Sequence, residues 1–442
     1  MNRWLIAGVL IVVLIGTIAG VGAVGYLAFR AFVSGNGTFG QSGISAESDQ
    51  KKVLDVGGTA SLVVESSSGK IVVLAGEANK MLVTSHKVAY SSSSEDAEQV
   101  LRSMKVDIVQ RGNEITIEYK RQNSFSQNGN NRVDFTIAVP KETRIKVDTG
   151  LGEVSLNGTQ GDASLESGFG AISVSQVQGE VALNTKNGKV DARDIKTGGR
   201  PIAVHSDFGA VSMKRVTAGE VNVSTNNGLI ELEDVESDGD LKLQSGFGEI
   251  RYLGGRAARL FAQTNNGRVA LTGLSVKGEL NAGSGFGALD LTQVNAGEQD
   301  LETRNGAISI EEARGKVKAH SDFGKIEVVH GISATMNLTT NNGPVKYSGS
   351  LGEGPHILSS GFGPIDLNIP ADAALEIDVK TDYGKIKSAI PVTINGDIEN
   401  THVIGSIKRG GPRLTATTNN GDIRIGILAP LQAEEKITLG KR

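Results

Sequence analysis

A four-residue segment that ends in glycine recurs along most of the chain at nearly constant spacing. It reads SGFG up to Gly170, TKNG up to Gly188 and SDFG up to Gly209, and later copies read SGFG, SDFG, TNNG, TRNG or TDYG. Successive tetrads end 18 to 21 residues apart until the last gap. A fixed period in this range is typical of a solenoid, in which each repeat stacks on its neighbours. The tetrads end at Gly170, Gly188, Gly209, Gly228, Gly248, Gly267, Gly287, Gly306, Gly324, Gly343, Gly363, Gly384 and Gly421.

The residues on both sides of each tetrad alternate between apolar and polar, which is the pattern of strands with one buried face. Val181 and Leu183 precede one tetrad, and Val211 and Met213 follow another. Stacked units would pair these strands in parallel at about 4.8 Å per coil. The pattern predicts an all-β parallel β-solenoid of about 19–20 residues per coil. A coil of about 39 residues is the rival geometry, but its interior would be too wide for Val, Ala and Leu to fill.

The third residue of the tetrad alternates between an aromatic ring and an asparagine along the chain. Continued through the tetrad, the strand alternation places these side chains inside the solenoid. An aromatic ring is wider than one coil, and a smaller asparagine above and below it would make room. On this interpretation Phe247→Asp would bury an unpaired charge and collapse the fold. The residues concerned are Phe169, Asn187, Phe208, Asn227, Phe247, Asn266, Phe286, Asn305, Phe323, Asn342 and Phe362.

The N-terminus predicts a membrane anchor. The run Trp4–Phe29 carries no charge and lies between Arg3 and Arg30. Its length suits a transmembrane helix, which needs about 20 apolar residues, and exceeds the roughly 7–15 of a signal peptide. We therefore expect an anchor over residues 1–33, inserted in the membrane through residues 4–29. Because long domains translocate largely regardless of local charge, the large domain is expected to be extracytoplasmic, at the cell surface or in the periplasm.

Four further segments complete the predicted organisation. Residues 34–52 are small and polar, which is typical of a flexible linker. Residues 53–149 lack the repeat and predict a small mixed β cap with one helix, which begins where Ser92 precedes Glu95 by three positions. The solenoid itself is predicted over 150–427, with "RLTATTNNGDIRIGI" as its last regular coil, and a tail over 428–442.

The order of motifs in the C-terminal part resembles a known family. Tyr383-Gly-Lys-Ile is followed by Pro391, Gly405 and Thr418-Asn-Asn-Gly-Asp-Ile. This order resembles the bacterial putative-adhesin β-solenoid family, a domain-of-unknown-function family of membrane-anchored envelope proteins. The resemblance covers about residues 130–427. It implies a β-solenoid, an envelope location and no demonstrated catalysis.

Composition excludes several classes of function. The chain has no cysteine, so disulfides and thiolate nucleophiles are excluded, and its net charge of −4 argues against nucleic-acid binding. The DFG of the SDFG tetrads is the magnesium motif of kinases, but the other kinase motifs are missing. DFG is therefore one form of a repeated corner.

The remaining polar residues predict no catalytic, cofactor-binding or metal-binding site. His205 and His320 share one repeat position but lie six coils apart, or about 29 Å. The strand alternation predicts that the His356 side chain points inward, so it is expected to be a core residue. The acidic run Glu231–Asp240 lacks the spacing of a calcium loop, and "RGGP" before Arg413 is expected to be a turn.

Together these features predict a membrane-tethered extracytoplasmic β-solenoid that acts as a non-catalytic binding or scaffold module, adhesin-like in character. An envelope polymer, a glycan or a protein is the expected ligand. The alternatives are a structural spacer or an accessory of envelope-stress signalling, and a polysaccharide-active enzyme. Outward aromatic side chains would favour a glycan. The predicted outward rows carry few aromatics, so the sequence leaves the ligand class and the oligomeric state open.

Overall fold

Two ladders of parallel strands run along the molecule, one formed by the strands before each glycine tetrad and the other by the strands after it. A computed structural model describes residues 44–120, 130–395 and 400–429. The predicted anchor at Trp4–Phe29 lies outside the described residues, as does the tail from residue 430 onward. No helix within the described ranges is long and apolar enough to cross a membrane.

The N-terminal end combines antiparallel strands with two coils of the solenoid. Its elements are β1 (Ile44–Asp55), β2 (Ser61–Ser68), β3 (Ile71–Ala75), β4 (Lys80–Ser91), α1 (Ser94–Ser103), β5 (Asp107–Arg111), β6 (Glu114–Tyr119), β7 (Arg132–Val139), β8 (Arg144–Leu151) and β9 (Val154–Asn157). β1 pairs antiparallel with β4 and β4 with β7, while β5 and β6 form an antiparallel hairpin. β2 lies parallel between β6 and β8, and β3 lies parallel between β7 and β9. The coil β6/β7 is therefore outermost and covers β2/β3.

Two predictions at this end are corrected. Residues 44–52, assigned to the flexible linker, belong to β1 and pair with β4 along its length. Over residues 44–52 this strand is largely exposed on both faces, so its backbone pairing leaves no alternation in the sequence. The helix begins one residue later than predicted: Ser93 is the N-cap, and its Oγ accepts a hydrogen bond from the Asp96 amide at 3.1 Å. Ser92 with Glu95 and Ser93 with Asp96 fit the same capping pattern.

The regular coils confirm the shorter of the two predicted periods. Ala163 pairs with Val181, and Val181 pairs with Ile202, so these coils are offset by 18 and 21 residues. The strands are β10 (Ala163–Ser167), β11 (Ile172–Ser175), β12 (Val181–Thr185), β13 (Val190–Lys196), β14 (Ile202–Ser206), β15 (Val211–Ala218), β16 (Val221–Thr225), β17 (Ile230–Ser237), β18 (Asp240–Ser245), β19 (Ile250–Ala257), β20 (Arg259–Thr264), β21 (Val269–Ser284), β22 (Leu289–Thr292), β23 (Asn295–Thr303), β24 (Ile308–Glu311), β25 (Lys316–Ser321), β26 (Ile326–Thr340), β27 (Val345–Leu351), β28 (His356–Ser360) and β29 (Ile365–Ile369). The two ladders enclose one continuous aliphatic core.

After each tetrad from Gly170 to Gly343 the chain bends six residues beyond the glycine, within the following strand or just after its end. In β15 the bend lies at Arg215, whose φ of 53° is in the left-handed region. The residues on both sides of it point inward: Met213 before the bend and Val216 after it are buried. The bend closes each short coil around a core only a few side chains wide.

The C-terminal end corrects the predicted order of the coils. Its strands are β30 (Leu375–Thr381), β31 (Ile386–Ser388), β32 (Val392–Ile394), β33 (His402–Ile407), β34 (Arg413–Thr418) and β35 (Ile423–Ile427). β34 lies between β28 and β30, and β35 lies between β29 and β31. The coil predicted to be last is thus next to last in space, and the outermost coil comes from an earlier segment. β33 pairs antiparallel with both β30 and β32.

Candidate functional site

The inner side of each corner is a column of buried hydroxyl groups. The first residue of every tetrad is serine or threonine, and its side chain points into the solenoid. The Ser206 hydroxyl donates to the Gly188 carbonyl of the preceding coil at 3.0 Å and accepts from the Gly209 amide of its own corner at 2.8 Å. We call these residues the hydroxyl column: Ser167, Thr185, Ser206, Thr225, Ser245, Thr264, Ser284, Thr303, Ser321, Thr340, Ser360, Thr418 and Thr381.

The last residue of each tetrad is glycine because successive corners lie against each other. A Cβ atom built on Gly248 would lie 1.6 Å from the carbonyl oxygen of Gly228 in the coil before it. A Cβ atom built on Gly228 would likewise lie 1.9 Å from the Gly209 carbonyl oxygen. Only glycine allows the corners to stack at the spacing of the strands.

The third residue of each tetrad points outward, so the predicted inward position is wrong. The six phenylalanines are 56 to 63% exposed, and Tyr383 at the equivalent position is 83% exposed. The alternation of buried and exposed residues ends at the hydroxyl, where the chain turns, and resumes in the next strand. We call the outward residues the corner column and its rings the aromatic column: Phe169, Phe208, Phe247, Phe286, Phe323, Phe362 and Tyr383.

Aromatic and asparagine residues alternate in space along the whole corner column. Along the chain, Tyr383 follows Phe362 with no asparagine tetrad between them. In the fold, however, Thr418 pairs with both Ser360 and Thr381, so Asn420 lies between Phe362 and Tyr383. The unusual coil order at the C-terminal end therefore restores the alternation that the sequence interrupts.

The spacing of the rings follows from the spacing of the coils. Neighbouring rings are two coils apart, about 9.6 Å at the usual strand spacing. From Phe169 to Tyr383 the column spans twelve coil intervals, or about 58 Å. The backbone amides of the column continue the parallel ladder through the corner: that of Phe247 donates to the Asn226 carbonyl at 3.0 Å. The rings are therefore carried on a hydrogen-bonded and regularly spaced scaffold.

Most asparagines between the rings keep their amide groups free. Within the described ranges, five of these exposed side chains form no hydrogen bond with the protein, and Asn342 makes one at 3.5 Å with the Asp322 carbonyl. The five are Asn187, Asn227, Asn266, Asn305 and Asn420. Each amide offers both donors and an acceptor to solvent or to a ligand.

The corner column carries little net charge. Among the second residues of the tetrads, Lys186 and Arg304 are basic, whereas Asp207, Asp322 and Asp382 are acidic. Both Asp207 and Asp322 already accept hydrogen bonds from a neighbouring asparagine amide, at 2.9 and 2.8 Å. The surface is therefore apolar and amide-rich.

The family of the chain follows from comparison with family models. The model described as Toastrack DUF4097 matches residues 59–246, 197–286 and 262–426, which together cover well over half of the chain. The chain belongs to this family. The resemblance inferred from the order of the corner motifs is thereby confirmed. A comparison with curated proteins gives no significant match.

Two solved structures resemble this Toastrack chain over most of its length. One is described as a putative cell adhesion protein from Clostridium sporogenes, with 11% identity over 86% of this chain and 99% of that chain, at a TM-score of 0.16. The other is described as a putative adhesin from Bacteroides fragilis, with 9% identity over 86% of this chain and 97% of that chain, at a TM-score of 0.20. TM-scores this low carry no inference about function.

The histidines of the Toastrack domain do not form a shared site. His205 Nε2 lies 3.1 Å from Asp207 Oδ1, and His320 Nε2 lies 3.3 Å from Asp322 Oδ1. The two histidines are on corners six coils apart, as predicted. His356 is buried, also as predicted. Its Nε2 donates a hydrogen bond to the Gly352 carbonyl at 3.1 Å, and its Nδ1 accepts one from the Met336 amide at 3.3 Å. Burial lowers the pKa of His356 below its ordinary 6.5, so the ring is a neutral core residue.

The acidic run is neutralised by basic residues on adjacent coils. Lys214 binds Glu233 at 2.5 Å, Arg256 binds Glu236 and Asp238, both at 3.1 Å, and Arg259 binds Asp240 at 2.8 Å. No group of three or more potential metal-ligating side chains occurs in the described part of the chain. The run is therefore a surface network of ion pairs.

An open groove of about 680 Å³ crosses the last coils on another face. Its charged side chains come from successive coils and alternate in sign except at the last one: Glu327, Lys346, Asp366, Arg424 and Lys387. Arg424 binds Asp366 at 3.2 Å and Asp422 at 3.1 Å. Acidic and basic side chains therefore lie next to each other across the groove.

The segment before Arg413 is a turn, as predicted. The Gly410 amide closes it by donating a hydrogen bond to the Ile407 carbonyl at 3.2 Å.

Sequence reasoning missed the aromatic column, although a signal for it was present. Ser245 and Ile250 both point inward, and they are five positions apart. Because strand alternation has a period of two, the parity must reverse somewhere between them. The predicted inward position of Phe247 requires the reversal after this residue, but it occurs directly after Ser245.

Proposed function

We propose that this Toastrack protein is a non-catalytic binding module, held on the outer side of a membrane by its N-terminal segment, which holds an extended partner along its corner column. The observation that carries the proposal is the aromatic column: seven exposed rings at equal spacing on one edge of a rigid scaffold. Exposed aromatic side chains arranged in this way mark interaction surfaces.

The regularity of the surface supports binding by many similar contacts. Each ring lies in the same local structure, and every hydroxyl of the hydroxyl column under it donates a hydrogen bond to a glycine carbonyl. Such an array distributes the binding free energy over repeated weak contacts, which together give high avidity to a long partner. Catalytic sites usually break local structural rules, whereas these corners repeat theirs.

The binding proposal is tested with full-length protein purified in detergent. Washed envelope fragments from the organism that encodes the protein are mixed with it and sedimented, and the bound fraction is measured. We expect wild-type protein to sediment with the fragments and the variant Phe208→Ala/Phe247→Ala/Phe286→Ala to remain in solution. The control Leu253→Ala/Ile404→Ala removes exposed apolar side chains outside the column and should bind like wild type. Equal binding by the triple variant would refute the proposal.

The location is tested separately in intact cells. Full-length protein is expected to stay with membranes through carbonate extraction, because the run Trp4–Phe29 is apolar and long enough to span a bilayer. Protease added to cells, or to spheroplasts where an outer membrane is present, should degrade the large domain. Complete protection of the domain would reverse the proposed topology.

A further inference from the structure

We infer that the ligand of the corner column is a neutral, linear, β-1,4-linked polysaccharide, which lies along the column with alternate sugars against successive rings. This inference rests on the proposed function and specifies the chemistry of its ligand. Three features of the column carry it: the period of the rings, the free amides between them and the low net charge.

The first feature is the period. Rings two coils apart recur about every 9.6 Å, and the disaccharide repeat of an extended β-1,4-linked chain has nearly this length. In such a chain, successive sugars are rotated by about half a turn, so a given face recurs only at every second sugar. The apolar C–H face of a pyranose packs well on an aromatic ring. A ring on every second coil therefore matches a sugar face that recurs on every second residue.

The second feature is the chemistry between the rings. The sugars that lie between two rings present hydroxyl groups, each of which can donate and accept a hydrogen bond. Asn227 and Asn266 lie at this position on either side of Phe247, and both amides are free of protein partners. An amide also donates and accepts, so it complements a hydroxyl-rich ligand in both roles. The alternation of ring and amide thus parallels the alternation of apolar face and hydroxyl groups.

The third feature separates this ligand from two other extended polymers. A polyanion requires rows of lysine and arginine, but only Lys186 and Arg304 are basic among the second residues of the tetrads. A proline-rich polypeptide has a repeat of about 9.3 Å, close to the ring spacing. Its prolines, however, supply acceptors and no donors, so the carbonyl oxygens of the asparagines would lose their hydration without gaining a partner.

The test measures depletion of full-length protein, in detergent, by insoluble polysaccharides. Chitin and cellulose are the β-1,4-linked probes, starch is the α-linked neutral control, and binding to soluble polygalacturonate and poly-L-proline is measured in parallel. We expect binding to at least one of the β-linked probes and none to the others. The triple variant Phe208→Ala/Phe247→Ala/Phe286→Ala should weaken binding by at least about tenfold. The control Leu253→Ala/Ile404→Ala should leave it unchanged.

A swap variant tests the period itself. Phe247→Asn/Asn266→Phe keeps the number of rings and amides but moves one ring by one coil. Because both positions are exposed, the urea unfolding midpoint should stay at the wild-type value. We expect binding to the β-linked probe to fall by about two- to tenfold, since one ring no longer meets a sugar face. Unchanged binding by the swap variant would overturn the match of periods.

The remaining outcomes distinguish this inference from the proposed function. If neither chitin nor cellulose binds while envelope fragments still bind through the aromatic column, the polysaccharide is wrong and the binding module stands. Column-dependent binding to polygalacturonate or poly-L-proline would show that the ligand is instead a polyanion or a proline-rich polypeptide. Self-association that the triple variant abolishes in sedimentation velocity, without polysaccharide binding, would make the column an interface between copies of the chain. If the triple variant binds envelope fragments like wild type, both proposals fail.

Discussion

The inner and outer sides of the same corner obey different constraints. On the inner side, Ser245 is buried and hydrogen bonded twice, and Gly248 lies against the preceding corner. On the outer side, Phe247 is 63% exposed, although it lies between these two residues in the chain. The inner residues determine whether the coils can stack. The outer residue leaves stacking unaffected and is available for contact with a partner.

This contrast shows how a repeat can keep its fold while carrying a surface pattern. The hydroxyl column accepts serine or threonine with the same two hydrogen bonds, as Ser206 and Thr225 show. The corner column accepts residues as different as phenylalanine and asparagine, because neither side chain enters the core. Substitutions on the two sides should therefore affect different measurements.

The largest effect is expected at the corner glycines. Gly248→Ala would place a Cβ atom against the Gly228 carbonyl oxygen, so the two coils would have to separate. We expect a loss of about 3 kcal/mol or more in the free energy of unfolding, measured in urea. Gly57→Ala is the control, because the nearest atom to its added Cβ would be 4.0 Å away. A stable Gly248→Ala protein would mean that the corners do not stack as described.

The hydroxyl column should show the next largest effect. Ser206→Ala leaves the Gly188 carbonyl and the Gly209 amide without their shared partner in a buried corner. The expected loss is about 1–3 kcal/mol. Ser164→Ala, on the exposed face of β10, should change the unfolding free energy by less than about 0.5 kcal/mol. Equal effects of the two substitutions would remove the distinction between the sides.

A buried histidine makes the inner side sensitive to pH. His356 lies in the core between Met336 and Leu414 of the adjacent coils. Because burial lowers its pKa below 6.5, the unfolded chain takes up a proton at this residue before the native protein does. Its contribution to stability is therefore complete above pH 6.5 and declines as the pH falls below that value.

The matching measurement compares urea unfolding of wild type and His356→Leu as the pH is lowered from about 7 to about 5. The variant should be less stable near neutrality, since the Gly352 carbonyl and the Met336 amide lose their partner. Its stability should also fall less steeply over this range. Identical slopes for the two proteins would contradict the neutral buried state.

The smallest effect on stability is expected on the outer side. Phe247→Asp should change the free energy of unfolding by no more than about 0.5 kcal/mol, as exposed substitutions usually do. The inward position that the sequence suggests would instead require collapse of the fold. Urea unfolding distinguishes the two outcomes directly. The destabilising control is Leu243→Asp, which lies in the core in the strand that precedes this corner.

Much of the fold could be predicted because the repeat encodes it locally. The glycine period predicts the coil length, and the alternation at Val181 and Leu183 identifies the buried face, which the structure confirms. The pairing of β1 could not be predicted, because an exposed strand needs no apolar alternation. The order of the last coils is likewise not predictable from the repeat, because it depends on β34 pairing in register with both β28 and β30.

The sequence alone determined that the chain forms a parallel solenoid, because glycine corners and apolar alternation act within each coil and its nearest neighbours. Only the tertiary structure decided which way the third corner residue points and which coil lies beside which. The parity must reverse between Ser245 and Ile250, but its position depends on how the corner hydroxyl and the glycine contact the preceding coil. Such contacts join residues about twenty positions apart, beyond the range of any local pattern. The aromatic column became visible only when the coils were stacked.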